Sequence, residues 1–171
     1  MKNRILVIGL GNILLRDEGV GVHVIGALRK GSPLPPWVDV VDGGTLGLDL
    51  LPLLEDRDKI LIVDATDFGR EAGYVGEIEG DDLSLAFQRK YSVHHLGLAD
   101  LLLAATWAGM RPSEVYLVGI QPESVEAGLE MTDLVKGKIE ELMERVVRKI
   151  NAWNINCAAL TTESPETQRS R

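Results

Sequence analysis

Apolar and polar positions follow two rhythms along this chain. Residues 4–9 (RILVIG) form an apolar run closed by glycine, the mark of a strand buried on both faces. Within residues 19–30, Val20, Val24 and Leu28 recur every four positions, which predicts a helix with one apolar face. Residues 31–36 break it, because proline fixes φ and lacks an N–H donor. A second strand is predicted over 38–42, closed by Gly43, Gly44 and Thr45, then a short helix over 48–54. Residues 59–64 (KILIVD) make the most apolar strand. Residues 74–79 alternate and are bounded by glycines, which predicts an edge strand. An apolar helix is predicted over 97–108, a last strand over 114–120, and a long helix over 132–151. In that last helix Val135, Ile139, Leu142, Val146 and Ile150 step by three and four. Beyond Trp153 the chain turns polar, and residues 154–171 are expected to form a flexible tail.

Strands that alternate with helices predict an α/β fold in three layers. It is a twisted, mostly parallel sheet of about five main strands with helices on both faces. No repeat and no linker divides residues 1–153, which are read as one domain. Folds of this class bind ligands in the crevice beyond the carboxyl ends of their strands. The segments 12–18, 42–45, 64–67 and 121–124 follow predicted strand ends, so candidate chemistry is sought there.

Composition narrows the choice. Hydrophobic residues make up 45% of the 171 positions, enough to bury a full core and to exclude general disorder. The net charge is −8, and no basic stripe escapes it. Nucleic acid and acidic lipid surfaces are disfavoured partners. No apolar stretch approaches the length of a membrane span, and the first apolar run is too short for a signal sequence core. The expected location is the cytoplasm. Cys157 is the single cysteine, so no internal disulfide and no thiolate zinc site is expected.

The turn Gly9-Leu10-Gly11 first suggests a dinucleotide site. Position 14 is leucine where the third glycine would stand, and Asp17 and Glu18 would repel a pyrophosphate at the helix start. A tight strand-to-helix turn is the better reading of the glycines. Asp17 alone reads as an acidic residue interacting with a helix dipole. Asp64 ends an aliphatic strand, where a carboxylate is poorly solvated without a partner. His94 and His95 are placed in a short polar loop before an apolar helix, and His23 inside the first helix. Cys157 has no histidine nearby in sequence, and no G-x-S-x-G elbow is present. Two carboxylates and one imidazole beyond separate strand ends can converge on one ion. Such mixed oxygen and nitrogen ligands suit zinc, nickel or iron and leave coordination positions open.

Four separated motifs carry a resemblance. They are Gly9-Leu-Gly-Asn-Ile-Leu-Leu-Arg-Asp-Glu-Gly-Val-Gly21, Asp42-Gly-Gly-Thr45, Val63-Asp-Ala65 and Ser92-Val-His-His-Leu-Gly-Leu98. In order and spacing, from about residue 5 to residue 150, the chain resembles the hydrogenase maturation endopeptidases. The resemblance implies a protease that removes a carboxyl-terminal extension from the large subunit of a nickel–iron hydrogenase after nickel insertion. It implies Glu18, Asp64 and His94 as metal ligands, with Glu18 chosen over Asp17 and His94 over His95 by their distance from flanking motif residues. The implied ion is the substrate's own nickel, so no permanent cofactor is expected. Glu18 and Asp64 are then the candidate catalytic groups, and the nickel-loaded large-subunit precursor is the expected partner. Gly43, Gly44 and Thr45 offer backbone that an extended peptide could approach. The competing reading is a nickel carrier or assembly factor with the same ligands and no proteolysis.

Overall fold

The computed structural model describes residues 4–31, 34–80, 83, 93–110 and 112–161, with backbone alone for 93–97 and 155–161. Five strands form one sheet: β1 (Ile5–Leu10), β2 (Val38–Gly44), β3 (Lys59–Ala65), β4 (Val75–Glu79) and β5 (Glu114–Ile120). Their order across the sheet is β2-β1-β3-β5-β4. β1 pairs parallel with β2 and β3, and β3 pairs parallel with β5. β4 closes the edge antiparallel to β5, with Val75 opposite Ile120. The alternating segment around residues 74–79 is therefore the edge strand its pattern predicted.

Both faces of the sheet are covered, which is why the central strands read as unbroken apolar runs. All six residues of β1 are buried. Ile5 and Val7 face α1 (Val20–Lys30) and the long helix, in a core with Val24, Ile25, Leu28, Val146 and Trp153. Leu6 and Ile8 face the opposite way, toward the 3-10 segment Gly47–Leu54 and α2 (Val93–Trp107), in a core with Leu50, Leu54, Leu98 and Leu101. This is the expected three-layer α/β arrangement.

Two of the expected helices differ in extent from the sequence reading. The expected helix over 132–151 is divided into α3 (Asp133–Lys136) and α4 (Ile139–Thr161). Thr132 caps α3, its hydroxyl accepting the Val135 N–H at 3.3 Å, and Gly137 closes it. The apolar spacing spans the break because both pieces face the same core. α4 then continues through Thr161, so the expected loose segment from 154 begins inside a helix. Its Asn-Ile-Asn-Cys-Ala-Ala-Leu stretch holds no glycine or proline to end the helix. Residues 162–171 lie outside the described part. The second difference is α2, which begins at Val93 rather than at 97, so His94 and His95 belong to its first turn and not to a loop.

α4 is also tied to the sheet edge by charge. Glu77 of β4 accepts from Arg145 at 3.1 Å, from Arg148 at 2.5 Å and from the Tyr116 hydroxyl at 2.5 Å. Burial works to raise the Glu77 carboxyl, but the tyrosine and the two guanidiniums outweigh it and hold it below the usual carboxylate range. The same burial, with the Glu77 carboxylate beside it, pushes the Tyr116 hydroxyl well up.

Candidate active site

The chain passes from β1 to β2 on one side and reaches β3 on the other side of β1. That reversal opens a crevice at the carboxyl ends of β1 and β3. Glycines let α1 begin directly over it. A methyl group on Gly21 would lie 2.2 Å from the Val63 carbonyl oxygen and 2.3 Å from that of Leu10. One on Gly9 would lie 2.2 Å from the Gly21 carbonyl oxygen. Gly11, at φ +129°, passes so close beneath the Glu18 carbonyl that a methyl there would sit 1.8 Å from it. The glycines of this turn thus pack a helix onto two strand ends, and the Glu18 backbone fills the space over Gly11.

Glu18 lies in the 3-10 turn Arg16–Gly19 that precedes α1, and this turn packs against β3. Asp64 is the penultimate residue of β3, opposite Gly119 of β5. Exposure is 9% at Glu18 and 2% at Asp64, so two carboxylates are withdrawn from water on adjoining elements. Thr66, 1% exposed, follows Asp64 and packs on Gly119, where a methyl would meet the Thr66 Oγ1 at 2.6 Å. A larger residue than glycine at 119 would displace the chain just after Asp64.

The segment after β5 fastens both neighbouring loops. Gln121 Oε1 accepts from the Phe68 N–H at 2.7 Å and so holds the loop that follows Asp64. Asp17 holds the other side. It is fully buried and accepts from Glu123 N at 3.0 Å, Ser124 N at 2.9 Å, Thr132 N at 2.7 Å and Thr132 Oγ1 at 3.0 Å. The expected role of Asp17 as a helix-start charge is replaced by this one. Its carboxylate meets donors more than a hundred residues later in the chain, a partnership with no local sequence signal. Gln121 falls in the segment 121–124 singled out from the sequence, although its partner Phe68 was not foreseen, and Thr132 was missed, although a threonine before Asp133 is a recognisable helix cap.

The remaining candidates divide. Gly43 and Gly44 end β2, beside β1, and the Gly44 carbonyl accepts from Gly11 N at 3.0 Å. Gly43 turns its Cα inward: a methyl there would meet Ile8 Cγ2 at 2.6 Å and Leu10 Cδ2 at 3.0 Å. Its smallness serves the core, while Thr45 stands exposed beyond it. The side chains of His94 and His95 lie outside the described residues; only their helical backbone is given. Among the described residues no three His, Cys, Asp or Glu side chains are grouped to hold a metal ion, and none of the helices is long and apolar enough to cross a membrane. Glu18 and Asp64 are carboxylates of the kind that bind a metal ion or move a proton to or from water.

Comparison with known proteins gives the same picture. A family model for hydrogenase maturation proteases matches residues 22–149. The chain is 41% identical over 145 residues to the hydrogenase 2 maturation protease of Escherichia coli K12, covering 84% of this chain and 88% of the relative. It is 37% identical over 158 residues to the hydrogenase expression/formation protein HupD of Rhizobium leguminosarum bv. viciae, covering 91% and 78%. The fold superposes on the hydrogenase maturating endopeptidase HybD from E. coli with a TM-score of 0.83 at 39% identity, over 87% of this chain and 93% of the other. It also superposes on the [NiFe] hydrogenase maturation protease HybD from Thermococcus kodakarensis with a TM-score of 0.71 at 25% identity, over 86% and 98%. Sequence and fold agree over most of the chain, and the chain belongs to the hydrogenase maturation protease family.

Proposed function

We propose that this protein cuts the carboxyl-terminal extension from the large subunit of a nickel–iron hydrogenase once nickel has been inserted, and that Glu18, Asp64 and His94 meet the nickel carried by the substrate. The observation that carries this reading is the burial of both Glu18 and Asp64, on a turn and a strand that pack against each other. Both are buried, and both stand at the carboxyl ends of β1 and β3 in a member of this protease family. Two carboxylates beside an ion serve peptide hydrolysis in two ways. Either can take a proton from the attacking water, and the ion they hold can polarise the scissile carbonyl. Oxygen and imidazole ligands compete poorly with thiolates for nickel, so this set would inspect the substrate's ion without extracting it. In the cytoplasm, where we place this reaction, the protease then needs no resident metal.

The test uses the large-subunit precursor in nickel-loaded and nickel-free forms, with product mass as the readout. The parent protein is expected to cut only the loaded precursor. Asp64→Asn, Glu18→Gln and His94→Ala should each remove cutting, and His95→Ala should retain it. A carrier without protease activity would leave the loaded precursor intact, and equal cutting of both forms would refute nickel recognition.

A further inference from the structure

Large apolar side chains left in water are unevenly placed. Ile13, Leu14, Leu46, Leu48, Val125 and Leu129 are 46% to 71% exposed, and all stand on the segments that follow β1, β2 or β5 at the carboxyl end of the sheet, Leu48 at the start of the 3-10 segment Gly47–Leu54. Tyr74, just before β4, and Leu134, in α3, are exposed as well, and elsewhere among the described residues the exposed large apolar side chains are Trp37, just before β2, and Leu103 and Trp107 on α2. Clustered exposed aliphatics on a folded chain mark a surface that another molecule covers.

These loops are held rather than loose. Gly128 N donates to the Leu14 carbonyl at 2.9 Å, and Arg16 N to the Gly128 carbonyl at 2.9 Å, a short parallel bridge between two chain segments. Asp17 N donates to the Ser124 carbonyl at 3.1 Å, and the Asp17 carboxylate grips the same segment from inside. Gly11 N to the Gly44 carbonyl joins the loop after β1 to the one after β2. A surface set in advance loses little conformational freedom on binding. It is also negative. Asp42, Asp49, Glu123, Glu126 and Glu130 are exposed among the aliphatics, whereas Arg16 is half-buried and directed to the Glu130 carbonyl at 3.4 Å.

We propose that these three loops form the docking surface for the substrate polypeptide, and that the substrate face they receive is apolar and positively charged. The proposal rests on the peptidase reading above and assigns recognition to residues other than Glu18 and Asp64. Those two are buried and act on the bond. The aliphatics supply contact area, and the carboxylates beside them select lysine or arginine and reject an acidic face.

The experiment measures affinity and cleavage separately with the nickel-loaded large-subunit precursor. Affinity is read as Kd in an Asp64→Asn background, where the precursor is held uncut, and cleavage as KM and kcat in the parent background. Leu14→Ser with Leu129→Ser should weaken Kd and raise KM by about tenfold or more, with kcat little changed. Because both positions are exposed, the melting temperature should stay near the parent value. Trp107→Ser, at the opposite end and 80% exposed, should change neither quantity. Raising ionic strength should weaken binding by the parent, as screening of the acidic surface requires. An unchanged Kd in the double serine variant, or an equal loss in Trp107→Ser, would overturn the docking assignment while leaving protease function intact. Tight binding of the precursor without any cutting by the parent would overturn the protease reading and leave the docking assignment standing.

Discussion

The Asp17 carboxylate receives both donors of Thr132, the backbone N–H at 2.7 Å on one oxygen and the hydroxyl at 3.0 Å on the other. Thr132 in turn accepts the Val135 N–H and caps α3. One buried charge thus fixes the turn that carries Glu18, the segment after β5 and the start of a helix. Asp17→Asn keeps one acceptor oxygen but replaces the other with an amide that cannot accept. Three donors meet Oδ2 and one meets Oδ1 in the parent, so whichever way the amide sits at least one buried N–H faces an NH2 group instead of an acceptor, and the loss should be about 2–4 kcal/mol. Thermal unfolding should show a melting temperature lower by roughly 5–15 °C. A variant that melts with the parent would show that this clamp does not hold the loops.

Gly21 and Gly26 lie five positions apart on α1 and should respond oppositely to alanine. A methyl at Gly21 would collide with the Val63 and Leu10 carbonyls, while none of the surrounding atoms lies within 4 Å of one at Gly26. Gly21→Ala should destabilise by about 3 kcal/mol or more, because backbone on both sides must shift. Gly26→Ala should stabilise by about 0.5–1 kcal/mol through helix propensity. Denaturant titration of both variants measures the contrast, and similar midpoints would contradict this packing of α1 on the strand ends.

Asp64→Asn is expected to retain the parent's circular dichroism and to lose cutting of the nickel-loaded precursor by at least about 100-fold. The amide keeps the shape of the carboxylate but neither holds a cation as well nor takes a proton. Gel analysis of timed digests is sufficient, and cutting at the parent rate would remove Asp64 from the proposed chemistry.

Glu77 should make the edge of the sheet sensitive to acid. Its carboxyl is held below its ordinary value of 4.5, so the stability it contributes is complete above that pH and is lost as pH falls through the lower folded-state value. Glu77→Gln should therefore lose stability relative to the parent near neutrality, and the difference should shrink on acidification below pH 4.5. The side chain is 25% exposed, so salt should reduce the difference too. Urea midpoints measured across this pH range at two salt concentrations test it. A difference that grows with acidification would reverse the assignment.

Apolar rhythm was sufficient to locate the five strands and the covering helices, because a strand buried on both faces or a helix with one buried face must repeat with its own period. Asp64 at the end of β3 stood out for a related reason, since a carboxylate closing an aliphatic run is anomalous, whereas Glu18 was singled out only by the family resemblance. Long-range partners were not legible. That Asp17 serves Glu123, Ser124 and Thr132 depends on how the segment after β5 folds back over β1, and hydrogen bonds across such a distance leave no periodic trace. The division of α3 from α4 was hidden for a different reason, since both present apolar residues to one core and their spacing runs on across Gly137. The inward turn of Gly43 was equally invisible, because a glycine needed to make room for Ile8 and Leu10 looks in sequence like a glycine needed for a turn. Periodicity is a property of neighbours along the chain, whereas the grip on the site is made by atoms that only folding brings within hydrogen-bonding distance.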